Sequence, residues 1–157
     1  MTRRNTPRVS FIGFGEAGQA IAAGLREGGI ERIAAWDILF PESAGARLKA
    51  AGEKIGVRLA SSAADAVADT DMVISAVTAA SSLEAARSVE PHLSGNPHYL
   101  DINSVSPGRK QETAKLLGEK ARYVDVAVIT DQSAAPPHPA ADCRPACGSD
   151  FAAAGRA

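Results

Sequence analysis

The stretch Val9-Ser10-Phe11-Ile12-Gly13-Phe14-Gly15-Glu16-Ala17-Gly18 decides the reading of this chain. Val9–Ile12 is a short, largely apolar run of strand type. It passes without a linker into Gly-x-Gly-x-x-Gly, which opens an alanine-rich stretch of helical period. Each glycine has a task at that junction. Gly13 permits the tight turn out of the strand, Gly15 offers no β-carbon to an approaching phosphate, and Gly18 lets the helix pack closely on the strand. A helix start presents free N–H groups and a partial positive charge, so Gly13, Phe14, Gly15, Glu16, Ala17 and Gly18 are expected to cradle a diphosphate. The bland alternative is a tight turn in a glycine-rich chain. Position argues against it, because the pattern follows the first strand and opens a helix.

Outward from that junction, β-branched runs alternate with alanine-rich amphipathic stretches. Strands are expected at Val9–Ile12, Ile33–Trp36, Val57–Leu59, Met72–Ala76, Tyr99–Asp101 and Tyr123–Val128. Helical patterns lie near Ala17–Glu27, Glu42–Ala51, Ser62–Ala68, Ser82–Val89 and Pro107–Leu117. In the first helix Ala17, Ile21, Gly24, Leu25 and Gly28 fall on one side, and Gly28-Gly29 stops it. Ser62 followed by Asp65 has the form of a capping box, and Ser106-Pro107 sets a cap before a first-turn proline. Strands such as Met72–Ala76 are apolar on both faces, as central parallel strands covered by helices must be. The fold class expected is therefore α/β, a doubly wound (Rossmann) mostly parallel sheet with helices on both faces.

The second strand ends in Trp36-Asp37, and Asp37 falls 19 positions after Gly18 (37 − 18). There a carboxylate accepts hydrogen bonds from the adenosine ribose hydroxyls of a dinucleotide. The same charge repels a 2′-phosphate, and no arginine directly follows, so NAD is expected over NADP. The alternative role for Asp37 is to cap the turn that follows it.

Composition narrows the classes. The apolar fraction of 45% suffices for a core, while aromatics at 4% leave that core to small and branched aliphatic side chains. A formal charge of −1 gives no reason to expect nucleic acid or an anionic membrane as partner. No run is long enough for a signal-peptide core or a membrane span, and two cysteines make no disulfide framework, so a cytoplasmic protein is expected. From Asp131 to Ala157 there is no leucine, isoleucine, valine or methionine, and four of the nine prolines lie there. The expected division is a dinucleotide-binding domain over residues 1–130 and a Pro/Ala-rich disordered or aberrant tail over 131–157. Cys143, Cys147 and His138 in that tail have irregular spacing, and no metal site is expected. His92 and His98 follow prolines in a loop and receive no catalytic role.

The glycine loop, together with Asp101-Ile102-Asn103-Ser104-Val105-Ser106-Pro107, resembles the β-hydroxyacid dehydrogenase family over about residues 8 to 130. The resemblance implies that Ala76, Val77 and Ser81 flank the cofactor's ribose and nicotinamide side. It further implies that Ser104 contacts the nicotinamide ribose or the substrate, with Ser106 beside it as a substrate contact or a helix cap. It implies hydride transfer between a nicotinamide cofactor and a small hydroxyacid, and a homodimer. The chain departs from the family after the sixth strand. There Ile129-Thr130-Asp131-Gln132 stands in place of the family's Asp-x-Pro-Val-Ser-Gly-Gly, and no lysine follows to act as its catalytic lysine. Lys110 and Lys115 are expected on the solvated face of their helix. No catalytic residue is therefore assigned, and a truncated or out-of-frame gene product, inactive alone, is the expectation. The alternatives are a cofactor-binding module or sensor that needs a partner chain, and a Rossmann enzyme of another class, such as a methyltransferase-like or imine-reducing relative.

Overall fold

Strand β1 (Val9–Ile12) is buried at every position, and it is the axis on which the sheet is built. The computed structural model describes residues 6–128 and the pair Arg144–Pro145. From β1 the chain runs through α1 (Glu16–Glu27), β2 (Ile33–Trp36), α2 (Ala46–Ile55), β3 (Arg58–Leu59) and α3 (Ala63–Val67). It continues through β4 (Met72–Ser75), α4 (Ser82–Val89), β5 (His98–Asp101), α5 (Pro107–Leu117) and β6 (Arg122–Ala127). The strands lie in the order β3-β2-β1-β4-β5-β6, all parallel, and β7 (Arg144–Pro145) pairs antiparallel with β6. The direction of winding reverses between β1 and β4, and a ligand crevice opens beyond the carboxyl ends of the strands at such a point. The remainder of the tail from residue 131, with His138, Cys143 and Cys147, lies outside the described residues.

Two cores result, one per sheet face. Val9, Phe11, Ile33, Ala35 and Ile74 meet Ala22 of α1 and the half-buried Leu48 and Ile55 of α2 on one side. Ile12, Val73 and Tyr99 meet Ala66, Ala86, Val89 and Leu117 of α3, α4 and α5 on the other. A strand covered on both faces has no solvated side, which is why β1 and β4 carry no alternating polar pattern.

Helix ends follow local chemistry. The Ser62 hydroxyl accepts the Asp65 N–H at 3.0 Å, but the Asp65 carboxylate reaches back to the Ser61 N–H at 2.8 Å instead of to Ser62. Ser106 caps α5 by accepting the Arg109 N–H at 3.4 Å. Two sequence expectations are corrected. The buried face of α1 holds Gly18 and Ala22 with Ile21 and Leu25 half-buried, whereas Ala17, Gly24 and Gly28 are exposed. The cause is Gly18, where an added β-carbon would lie 2.8 Å from the Gly13 carbonyl oxygen, so close approach at this turn sets the roll of the helix. The helix expected at Glu42–Ala51 is instead α2, running to Ile55 and stopped by Gly56 in the left-handed conformation at φ +82°.

Candidate functional site

The glycine loop sits between the tips of three strands. The Gly13 N–H donates to the Trp36 carbonyl at 2.9 Å, and the next strand over, β4, ends with the Ala76 N–H donating to Ile12 at 2.8 Å. Gly13 holds φ +88°, and a β-carbon there would fall 2.2 Å from the Ala76 carbonyl oxygen. Gly15 is the reverse case: nothing lies within 4 Å of where its β-carbon would be. Gly15 is the N-cap of α1 and makes no side-chain cap bond, so the first N–H groups of the helix are left for a ligand. Glu16 and Ala17 are exposed at this start. Phe14 is fully buried, stacked edge-on between Phe11 and Phe40. Its side chain anchors the loop from below rather than facing the crevice.

Asp37 lies against the loop. Its carboxylate accepts the Phe14 N–H at 2.8 Å through one oxygen and the Leu39 N–H at 2.9 Å through the other. Both roles considered for it are thus geometrically compatible, since each bond occupies one acceptor site of an oxygen and a carboxylate offers about four. Ile38 follows at 80% exposure, an apolar side chain where a basic one would receive a 2′-phosphate.

On the other side of the crevice, Ala76 and Val77 are half-buried after β4, and Ser81 is exposed, its hydroxyl accepting from Thr78 at 3.1 Å. Ser104 and Ser106 are exposed after β5. The residue that joins these two loops, which sequence reasoning passed over, is Asn103. Its Oδ1 accepts the Val77 N–H at 2.8 Å, and its Nδ2 donates to Ser75 Oγ at 3.0 Å and to Asp101 Oδ1 at 2.7 Å. With an N–H on one side and a carboxylate on the other, the amide has one orientation.

Beneath Asn103 lies a charged layer. Asp101 is 1% exposed and its Oδ2 accepts the Tyr123 hydroxyl at 2.9 Å. Lys110 of α5 is also buried, which corrects the expectation of a solvated lysine. Its ammonium donates to the Asp101 carbonyl at 3.0 Å and stands 3.2 Å from Asp101 Oδ1 and 2.9 Å from Asp125 Oδ1. The reason is register: Asp101 and Asp125 are partners on adjacent strands, and two neighbouring carboxylates need a cation between them. Lys115 is exposed, as expected. Burial, and then the bond to Asp101, pushes the Tyr123 phenol far above its ordinary range, and burial does the same to Tyr99.

Two cavities of about 370 and 330 Å³ open elsewhere, at the amino-terminal ends of the strands. Several of the charges in their walls are paired, Arg8 with Asp71 and Asp69 and Arg58 with Asp65. The crevice at the opposite end, where free helix N–H groups and the open face of Gly15 converge, is the better candidate. Among the described residues, no helix is long and apolar enough to cross a membrane.

Comparisons with known proteins bear on the family and the fold. A conserved hypothetical protein of Sinorhizobium meliloti 1021 is 36% identical with a TM-score of 0.74, over 80% of this chain and 42% of its own. A conserved protein of unknown function, described as structurally similar to 3-hydroxyacid dehydrogenases, is 35% identical with a TM-score of 0.67, over 79% of this chain and 44% of its own. An uncharacterized 28.5 kDa protein of Methanothermus fervidus is 31% identical over 122 residues, which are 78% of this chain and 45% of that relative. The chain thus spans less than half the length of these relatives. The resemblance to hydroxyacid dehydrogenases holds at the level of fold. The family model described as NADP oxidoreductase coenzyme F420-dependent matches residues 8–104, and the chain belongs to that family.

Proposed function

We propose that this chain is the NAD-binding domain of an oxidoreductase acting on small hydroxyacids. The observation that carries the reading is the α1 start, left uncapped by Gly15 and flanked by the Asp37 carboxylate. The helix N–H groups suit a pyrophosphate, and Asp37 keeps acceptor capacity for two ribose hydroxyls. Ala76, Val77, Ser81 and Ser104 then fall toward the nicotinamide side, with Ser104 and Ser106 nearest a substrate. The nicotinamide, when bound, supplies the hydride chemistry. The exposed Ile38 and the charge of Asp37 favour NAD over NADP.

Proton transfer at a substrate hydroxyl needs a group free to exchange a proton. Lys110 is held by Asp101 and Asp125, so it is not that group. The same observation supports a second reading, a nicotinamide-nucleotide-binding module that draws its chemistry from residues outside those described.

The test uses Trp36, the single tryptophan of the chain, which stands directly before Asp37. Its emission overlaps the absorbance of reduced nicotinamide, so bound NADH quenches it. Wild type is expected to bind NADH more tightly than NADPH. Asp37→Ala is expected to weaken NADH by about tenfold or more, the loss of charged hydrogen bonds to the ribose. Binding of neither nucleotide would defeat the reading, and tighter NADPH binding would defeat the preference for NAD.

A further inference from the structure

The tips of β2, β1, β4 and β5 stand side by side in that order, so Asp37, the glycine loop, the Ala76–Val77 turn and the Asn103–Ser104 turn form one line. Adjacent tips are separated by about 4.8 Å, which places Asn103 some three steps, or about 14 Å, from Asp37. Phosphate and adenosine contacts belong to the first half of that line. In the second half the helix start after β5 is capped by the Ser106 hydroxyl, and the shape of this half depends on how two loops are held apart.

Asn103 holds them. It is 6% exposed, and every polar atom of its amide is used between the loops or against the layer below. By accepting the Val77 N–H it fixes the turn after β4. By donating to Asp101, itself tied to Tyr123 and Lys110, it fixes the turn after β5 to the hydrogen-bonded layer beneath it. A buried amide with three partners in two strands and a loop is strongly specified, because any displacement leaves at least one polar group unpaired. The exposed Ser104 is its immediate neighbour, so the position of the Ser104 backbone follows that of Asn103.

We propose that Asn103 is a positioning residue for the nicotinamide end of a bound dinucleotide: it sets the separation of the 76–81 and 104–106 loops without contacting the ligand. The inference rests on the dinucleotide reading above and deepens it. The experiment compares NADH with ADP-ribose, which lacks the nicotinamide, on the 157-residue chain by titration calorimetry. Asn103→Ala is expected to weaken NADH by about tenfold and ADP-ribose by less than about twofold. Ser75→Ala removes one of the three partners and is expected to shift NADH in the same direction by about threefold, with ADP-ribose unchanged. An equal loss for both ligands, or no loss for either, overturns the positioning role. If Asn103→Ala does not fold, Ser75→Ala decides by the same criterion. Wild type that binds ADP-ribose as tightly as NADH overturns this inference alone. Wild type that binds neither overturns the dinucleotide reading and this inference with it.

Discussion

Gly13 and Gly15, two residues apart, lack a side chain for opposite reasons, and this separates folding from binding. At Gly13 a methyl group would collide with the Ala76 carbonyl and the backbone is left-handed. Gly13→Ala is therefore expected to destabilise the fold by on the order of 3 kcal/mol or more, read as a fall in the denaturation midpoint. At Gly15 the same methyl meets nothing of the protein. Gly15→Ala is expected to lower stability by no more than about 1 kcal/mol, the difference between glycine and alanine at an N-cap. Its NADH affinity should nonetheless fall by about tenfold, since the methyl occupies the approach to the loop. A destabilised Gly15→Ala that still binds NADH normally would contradict the assignment. These glycines were legible because their spacing is local and follows a strand. Asn103 and Lys110 were not. Asn103 depends on Val77 and Ser75, which are 26 and 28 residues away, and Lys110 sits among polar residues in a helix of mixed pattern. Sequence periodicity reports which face is apolar, not which cation is called inward by two facing carboxylates.

At the scale of elements, Arg8 ties the segments ahead of two adjacent strands together at the amino-terminal end of the sheet. Arg8, ahead of β1, donates from its backbone N–H at 2.8 Å and from its guanidinium at 2.9 and 3.1 Å to the Asp71 carboxylate, ahead of β4. The Arg8 side chain, and then its backbone N–H, draw the Asp71 carboxyl down from 3.8 to about 2. A folded-state value below the unfolded one means that the charged form is favoured by folding. The contribution is present above about 4 and is lost as pH falls toward about 2. Because Asp71 is partly exposed, salt weakens the pair. Wild type is expected to lose denaturant stability over that window more steeply than Asp71→Asn, and the difference should shrink in high salt. Parallel acid profiles of the two proteins would contradict it. Element identities were readable from alternation of strand and helix patterns, and the caps at Ser62 and Ser106 from their residues. The roll of α1 and the end of α2 were not, because close approach at Gly18 and the left-handed stop at Gly56 depend on contacts and backbone angles rather than on apolar spacing.

For the molecule as a whole, both faces of the sheet are covered, but the two covers differ in kind. One is aliphatic and aromatic throughout, while the other ends in the layer of Tyr123, Asp101, Asn103 and Lys110. The chain has two tyrosines, Tyr99 and Tyr123, and they stack with centroids 6.3 Å apart in this second half. Both phenols are raised above 10.0, so each favours the folded state below its ordinary value, and that contribution is lost as pH rises beyond it. Tyrosinate absorbance is expected to stay absent through pH 10 and to appear together with loss of secondary structure. A phenolate signal that rises while the fold is intact would show that the layer is open to solvent. The doubly wound order was legible as a class, since alternating strands and helices leave few other arrangements. The charged layer was not, for it exists only once β4, β5, β6 and α5 are assembled.

Phe14 carries one more consequence. Its ring lies between Phe11 and Phe40, Phe40 meets Trp36, and Gly52 of α2 lies beneath it, so close that a β-carbon there would stand 3.2 Å from the ring. The glycine loop is therefore anchored from the side of the hydrophobic interior. A methyl group added at Gly52 would press first on Leu59, 2.6 Å from that β-carbon, and then on the Phe14 ring that underlies the glycine loop.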